Sequence, residues 1–215
     1  MIVTVVGAHG SIARLLTPLL TAAGHTVRGL VRDADQFDDL RDDGAEPVLC
    51  DLEAVTAEDL DAALASSDVV VFAAGAGPGS GAARKNTLDR DGAIKSVESA
   101  ARVGADRFVI VSSMGADDPP QDDEVFSVYL RAKADADAAA HVADIDATIV
   151  RPGALTDDAA TGVVNIAAST GRGSIPRADV AAVLAELITS DRGRTATFEL
   201  ISGDVSVDDA VARVD

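Results

Sequence analysis

The strongest constraint on the fold is an alternation of short valine-rich runs with longer helical stretches. Six apolar runs of strand length recur along the chain, at 2–6, 26–31, 47–50, 69–74, 108–111 and 147–150. They show little alternation of polar and apolar residues, which is typical of strands buried on both faces of a parallel sheet. Helical stretches separate them, at 11–23, 35–42, 57–65, 87–103 and 124–142. This order predicts right-handed βαβ units and an α/β fold with a doubly wound parallel sheet.

The chain after residue 151 is less regular. It contains a predicted helix near 177–189, a strand near 196–201 and a short terminal helix. A chain of 215 residues with this alternation is expected to form one domain, 1–215, with a small C-terminal region on the substrate side. Two irregular segments, about 114–127 and 156–175, are expected to shape the substrate pocket.

The charge of the chain excludes two classes of partner. The sequence has 36 acidic against 18 basic residues and a formal charge of −18, which repels nucleic acid phosphates and anionic lipid. The acids are mostly aspartate, and only three of the basic residues are lysine. We interpret this as adaptation to a salty cytoplasm, where a Debye length of about 3 Å near 1 M salt screens the repulsion. An ordinary acidic protein is the alternative.

Other sequence features favour a reducing, aqueous compartment. Cys50 is the only cysteine, so no disulfide framework is expected. The opening residues "MIVTVVGAHG" lack a basic segment and predict no signal peptide. The uncharged stretch 69–83 is interrupted by glycines and is not expected to span a membrane. The three histidines are scattered, which predicts no metal site. We therefore expect a cytoplasmic protein, either a monomer or a homodimer.

A glycine-rich turn follows the first predicted strand, in "VVGAHGSIARLL". Gly7 permits a tight turn, Gly10 lets the backbone approach a pyrophosphate, and the small Ala13 lets the helix pack closely on the strand. The N-terminus of the helix that begins at Ser11 favours an anion at the same place. A strand, a glycine turn and a helix within a βαβ frame together predict dinucleotide binding. His9 is interpreted as a side chain of this turn.

The end of the second strand indicates which dinucleotide is bound. An acid at this position binds the ribose hydroxyls of NAD, whereas an arginine accommodates the 2′-phosphate of NADP. The sequence "GLVRDAD" offers both, with Arg32 directly after the strand and Asp33 next. We expect NADP(H) as the preferred cofactor and NAD(H) as the alternative.

Tyr129 and Lys133 carry the chemistry that the sequence suggests. They lie four residues apart in a predicted helix and therefore on one face of it. An ammonium group near a phenol favours the phenolate and brings the phenol pKa closer to working pH. Such a tyrosine exchanges a proton with a carbonyl or alcohol oxygen while hydride moves to or from a nicotinamide. Ser112 and Ser113 follow the fifth strand, where either hydroxyl could hold the substrate oxygen.

Taken together, these motifs resemble the short-chain dehydrogenase/reductase superfamily. They are most similar to its atypical NAD(P)H-binding branch, which includes NmrA-like and biliverdin-reductase-B-like proteins and has a Rossmann fold. The segments that carry the resemblance keep the family's order and spacing. They are "VVGAHGSIA", "GLVRD", "CDLE", "VVVFAAGAG", "DRDGAIK", "RFVIVSSMGA", "YLRAK", "TIVRPGAL" and "SIPRADVAAVL".

The resemblance implies a role for each matching residue. Gly7, Gly10 and Ser11 would hold the pyrophosphate, and Arg32 would bind the adenosine end. His9 and Ile12 would also belong to the cofactor site. Asp51 and Leu52 would border the adenine, and Ala73, Ala74 and Gly75 would pass beneath the ribose. Pro152, Gly153 and Leu155 would flank the nicotinamide. Tyr129 and Lys133 match the catalytic pair, with Lys133 also touching the cofactor, and Ser113, or Ser112 in its place, matches the serine.

The function implied is an NADP(H)-dependent oxidoreductase that acts on a small carbonyl, alcohol or quinone-like substrate. An NAD-dependent epimerase or dehydratase of a sugar nucleotide uses the same Tyr–Lys pair and is one alternative. A nonenzymatic NmrA-like protein that senses dinucleotides is another, although a sensor requires neither Tyr129 nor Lys133.

Overall fold

The structure, a computed structural model, describes residues 1–77 and 79–214 and is built around one large sheet. The strands in chain order are β1 (Ile2–Val6), β2 (Thr26–Val31), β3 (Glu46–Leu49), β4 (Val69–Phe72), β5 (Arg107–Val111), β6 (Asp146–Pro152), β7 (Ala154–Thr156), β8 (Val163–Ala167), β9 (Ser174–Pro176), β10 (Thr197–Ser202) and β11 (Val205–Ser206). Nine of them form the sheet in the order β11-β8-β10-β6-β5-β4-β1-β2-β3, and β7 pairs with β9 in a separate two-stranded sheet.

Helices connect the strands. They are α1 (Ser11–Ala22), α2 (Phe37–Asp42), α3 (Ala57–Leu64), α4 (Ala82–Arg84), α5 (Asp91–Arg102), α6 (Val125–Val142), α7 (Arg177–Thr189) and α8 (Val207–Val211). A 3₁₀ turn over Ala34–Gln36 precedes α2, and a π-helical turn over Lys85–Arg90 joins α4 to α5. None of the helices in the described residues has the length and apolar character needed to cross a bilayer.

The sheet is parallel from β3 to β10, and only β8 runs antiparallel to its neighbours. The strand order reverses between β1 and β4, which pair directly. In open α/β sheets, the crevice at such a reversal, outside the carboxyl ends of the strands, is where ligands bind. The prediction of a doubly wound, mostly parallel sheet in a single domain is confirmed.

Both faces of the sheet are buried, which explains the continuous apolar runs. Along β4, Val69 and Val71 pack into a core with α1, α7 and α8, whereas Val70 and Phe72 pack into a second core with α3, α5 and α6. On the first face, α1 packs directly against α7. A strand buried on both faces has no polar face, so polar and apolar residues do not alternate along its sequence.

The segment 156–175 is more regular than expected. It contains β8 and ends in β9, neither of which the sequence indicated. In β8 only Val164 is fully buried, and Asn165 faces solvent, so the strand lacks the uniform apolar character of the central strands. The helical region predicted at 87–103 begins earlier, at Ala82, because α4 and the π-helical turn precede α5.

Candidate active site

The turn after β1 forms one wall of a cleft at the reversal of strand order. Gly7 has a φ of +80°, and a Cβ on it would lie 2.5 Å from Cα of Ala74. Any larger residue would therefore push the two loops apart. The amide of Gly10 donates to the carbonyl of Gly7 at 2.9 Å, and α1 starts immediately afterwards without a side-chain cap. The first amides of α1 are thus available to an anion in the cleft.

The cleft has a volume of about 920 Å³ and brings together distant parts of the chain. Of the residues predicted for the site, those that line it are Gly7, His9, Gly10, Ser11, Ile12, Arg32, Asp51, Leu52, Ala73, Ala74, Gly75, Ser112, Tyr129, Lys133 and Leu155. They come from the carboxyl ends of β1 to β5, from the first turn of α1, from α6 and from β7. One continuous cleft therefore contains the glycine turn and the Tyr–Lys pair.

Three predicted residues do not line the cleft. The Ser113 hydroxyl donates to the carbonyl of Met114 at 3.2 Å, so it is engaged by its own loop. Pro152 is buried at the end of β6, where it pairs with Leu200. Gly153 packs against the backbone of Gly173, with no room for a Cβ. It therefore serves the junction between the main sheet and the β7–β9 pair.

At the end of the cleft near β2, the two candidate cofactor-selecting residues have separate positions. Arg32 is exposed and lines the cleft. The Asp33 carboxylate accepts from the Asp35 amide at 3.0 Å, which caps the 3₁₀ turn, and Asp33 does not line the cleft.

The His9 side chain in the glycine turn contacts α2, because its ring lies 2.7 Å from the Asp39 carboxylate. That hydrogen bond is the main cause of a lowered pKa at Asp39.

At the opposite end, α6 presents Tyr129 and Lys133 to the cleft. Lys133 is only 3% exposed, and its ammonium donates to the Val111 carbonyl at 2.9 Å. The ammonium nitrogen lies 5.7 Å from the centre of the Tyr129 ring and 3.9 Å from a carboxylate oxygen of Asp89. A carbonyl from β5 and a carboxylate from the π-helical turn therefore fix the position of the lysine beside the tyrosine.

Comparison with known proteins identifies the family. A family model described as NAD(P)H-binding matches residues 7–191, which is most of the chain. The chain belongs to the NAD(P)H-binding family. Within this family match lie the glycine turn, the Tyr–Lys pair and all of the cleft-lining residues except Val6.

Relatives of this NAD(P)H-binding protein share its length and fold. An uncharacterized sugar epimerase of Bacillus subtilis is 34% identical over 215 residues and is matched over the full length of both chains. A solved structure, a putative NAD-dependent epimerase/dehydratase from Bacillus halodurans, is 40% identical with a TM-score of 0.92 over 99% of each chain. The anaerobillin reductase ChuY of Escherichia coli O157:H7 superposes with a TM-score of 0.80 at 23% identity, covering 96% of this chain and 99% of that one, which shows the shared fold. The fold is therefore Rossmann-like.

The residues of the cleft fit a nicotinamide dinucleotide. The glycine turn leaves backbone room where a pyrophosphate must approach, and α1 directs its free amides there. Gly75 is also constrained, since a Cβ on it would lie 3.1 Å from a carboxylate oxygen of Asp89. In the described part of the chain, no group of three or more His, Cys, Asp or Glu side chains is arranged to hold a metal ion.

Several cleft residues were not identified from the sequence. Lys85 and Asp89 lie on the π-helical turn and are 9% and 1% exposed. The carboxylate of Asp89 accepts from the Ala76 amide at 3.1 Å. Arg84 donates to Glu53 at 3.1 Å, and the Glu53 pKa is lowered, first by a hydrogen bond from Thr87 and then by Arg84. The rarity of lysine in this chain was the one signal that could have marked Lys85.

An apolar rim borders the reactive end of the cleft. Phe126 is 64% exposed, and its ring stacks on Tyr129 at a centroid distance of 5.8 Å. Val125 and Leu155 are exposed beside it and line the same cleft. Exposed apolar groups next to a candidate reacting hydroxyl are typical of a binding surface for an uncharged part of a substrate.

On the inner side of the cleft wall, Ser112 lies beside a buried carboxyl group. Burial raises the pKa of Asp137, and the Ser112 hydroxyl and the Arg151 guanidinium, at 2.9 Å, act against that rise. Ser112 lines the cleft but is only 4% exposed. Of the two predicted serines, Ser112 is the one that the structure brings to the cleft wall.

Proposed function

We propose that the protein is an NADP(H)-dependent oxidoreductase of the short-chain dehydrogenase/reductase type. Its substrate is a small carbonyl, alcohol or quinone-like compound. The observation that carries the proposal is the position of Tyr129 and Lys133, one helical turn apart in the wall of the same cleft as the glycine turn. A bare dinucleotide-binding site requires no such pair, whereas hydride transfer to a carbonyl requires a proton donor at this end.

The preference for NADP(H) is supported by the two residues that follow β2. Arg32 lines the cleft with an exposed guanidinium, which suits a 2′-phosphate. The carboxylate that would otherwise bind the ribose hydroxyls, Asp33, is used as the cap of a turn. Arg84 also lines the cleft in this region and adds positive charge, although it is partly neutralised by Glu53.

In the proposed reaction, a reduced nicotinamide bound in the cleft would supply the hydride for the carbonyl carbon of the substrate. Tyr129 donates its hydroxyl proton to the carbonyl oxygen, so that the product is an alcohol. The Lys133 ammonium stabilises the resulting phenolate, and a proton from solvent restores the tyrosine. Lys133 keeps its position because the Val111 carbonyl and Asp89 hold it. Alcohol oxidation follows the same steps in reverse.

The alternative functions have less support. Epimerase or dehydratase appears in the names of two relatives, one of them a sugar epimerase, but one is described as uncharacterized and the other as putative. A sugar nucleotide needs a substantial substrate lobe, but in residues 153–214 the chain mainly extends the main sheet through β8, β10 and β11. A nonenzymatic dinucleotide sensor would have no use for a buried Lys133 beside Tyr129.

The test is turnover by Tyr129→Phe under saturating NADPH, with a panel of small carbonyls and quinones. Removal of the hydroxyl alone should leave folding and NADPH affinity nearly unchanged and lower carbonyl reduction by about 10²–10⁴. Phe37→Leu is the matched control, because it changes an aromatic ring that does not line the cleft. Wild-type turnover in Tyr129→Phe would mean that the reaction needs no acid from this tyrosine.

A further inference from the structure

Lys85 is a buried cation that the Tyr–Lys pair does not account for. Its ammonium donates to the Gly77 carbonyl at 3.0 Å, and the residue is 9% exposed. In the part of the chain that the structure describes, no carboxylate lies within 4.0 Å of this ammonium. A buried charge without a counter-ion is costly, so its presence in the wall of the cleft calls for a physical reason. The chain has twice as many acidic as basic residues, so the absence of a carboxylate beside this described lysine is unusual.

The negative charge that Lys85 could act on would form at Tyr129. The Lys85 nitrogen lies 5.2 Å from the centre of the Tyr129 ring, closer than the 5.7 Å of Lys133. The two lysines come from different elements, because Lys133 belongs to α6 and Lys85 to the π-helical turn that packs against it. Such single turns of π-helix frequently occur at functional sites.

We propose that Lys85 is a second cation for Tyr129 and shares with Lys133 the stabilisation of the phenolate. Lys85 acts through the tyrosine and is therefore a positioning residue, not a group that takes the substrate proton. An effect of Lys85 on catalysis depends on the proposed acid–base role of Tyr129. The effect of its charge on the tyrosine exists without any substrate and is measurable in the cofactor-free protein.

The other charged groups around the tyrosine do not cancel this effect. On α6 the neighbour is Lys133, and on the π-helical turn it is Asp89, which lies 3.9 Å from Lys133 and offsets part of that charge. From α7, Arg177 lines the cleft and is paired with Asp157 at 2.6 Å. Asp89 therefore partly neutralises Lys133, whereas Lys85 has no carboxylate this close among the described residues.

The ionisation of Tyr129 can be followed directly by absorbance, because Tyr129 is the only tyrosine and the chain has no tryptophan. The near-ultraviolet absorbance of tyrosinate therefore reports this one side chain during a pH titration. In Lys85→Met, the midpoint of that titration should move up relative to wild type, since a nearby opposite charge favours the ionised form. Lys85→Arg keeps a cation, so its midpoint should stay close to that of wild type.

Lys95→Met is the matched control, because it removes one lysine charge from a residue that does not line the cleft. A midpoint in Lys85→Met equal to that of Lys95→Met would overturn the proposal. If Lys85→Met does not fold, Lys85→Gln replaces it, since the amide keeps a donor for Gly77 and lacks the charge. A wild-type midpoint in Lys85→Gln would likewise overturn the proposal, and an upward shift would support it. Turnover by Tyr129→Phe tests the proposed function separately, because it does not depend on Lys85.

Discussion

Arg107 offers a quantitative test of how the fold is held together at the end of the sheet opposite the cleft. It begins β5, is 1% exposed, and burial lowers the pKa of its guanidinium to about 10. The guanidinium donates to the carbonyls of Leu187 at 2.7 Å and Arg192 at 2.6 Å, and to the Thr148 hydroxyl at 2.8 Å. Leu187 lies in the last turn of α7, where a positive charge is favourable.

The net contribution of Arg107 follows from two opposing effects. Three short hydrogen bonds from a charged donor contribute about 1.5–3 kcal/mol each to the free energy of unfolding. Against them, the fall in pKa from 12.5 to about 10 corresponds to a cost of about 3 kcal/mol for burying the charge. Arg107→Met should therefore lower the free energy of unfolding by about 3 kcal/mol, because the carbonyls lose their donor while the cost of the buried charge is relieved.

Urea unfolding monitored by far-ultraviolet circular dichroism measures this effect. For a domain of this size, a loss of about 3 kcal/mol corresponds to a fall of about 1 M in the urea midpoint. Arg41→Met is the matched control, since Arg41 is 58% exposed and its contacts with Asp38 and the Phe37 ring lie within the same helix. Equal midpoints for the two variants would refute the reasoning, because the buried hydrogen bonds would then contribute no more than a surface ion pair.

Three further predictions concern the cofactor and the charge of the surface. Arg32→Ala should raise the dissociation constant of NADPH about tenfold and leave that of NADH unchanged, as titrations followed by nicotinamide fluorescence would show. Equal losses for both cofactors would contradict the proposed 2′-phosphate contact. Cys50 lines the cleft, and burial raises the pKa of its thiol, so alkylation followed by mass spectrometry should be slow at neutral pH. Alkylation should be slower still with NADPH, and an equal rate with and without NADPH would contradict cofactor binding in this cleft. If the charge of −18 reflects a salty cytoplasm, the melting temperature should rise as KCl increases from tenths molar to molar, and a flat or falling trend would reject that interpretation.

The sequence predicted the parallel core well because its strands are buried on both faces. Uniform valine-rich runs identified β1, β2 and β4, and the bounds predicted for α7 agree with the structure. β8 was missed because an antiparallel strand towards one end of a sheet does not need a continuous apolar run. β7 and β9 are three residues each, and their pairing depends on the close approach of Gly153 and Gly173, which no local pattern reveals.

In the candidate site, the residues that the sequence predicted are those whose chemistry depends on local spacing. The glycine turn and the Tyr–Lys pair belong to this class, since each lies within a few residues of chain. Lys85 reaches Tyr129 only through the packing of the π-helical turn on α6, across more than forty residues of sequence. The choice between Ser112 and Ser113 likewise depended on how the chain turns after β5, and only Ser112 reaches the cleft wall.

The packing of α1 against α7 affects when a newly made chain becomes able to bind its cofactor. Leu16 and Leu20 of α1 share a core with Leu184 and Leu187, which emerge from the ribosome much later. Until then, the first helix lacks most of its native support, and the turn before it is not held in place. Dinucleotide binding is therefore acquired late in synthesis, although its residues are translated first. A ligand stabilises only chains that can bind it, so a nicotinamide dinucleotide would protect finished molecules from proteolysis and leave nascent ones unprotected.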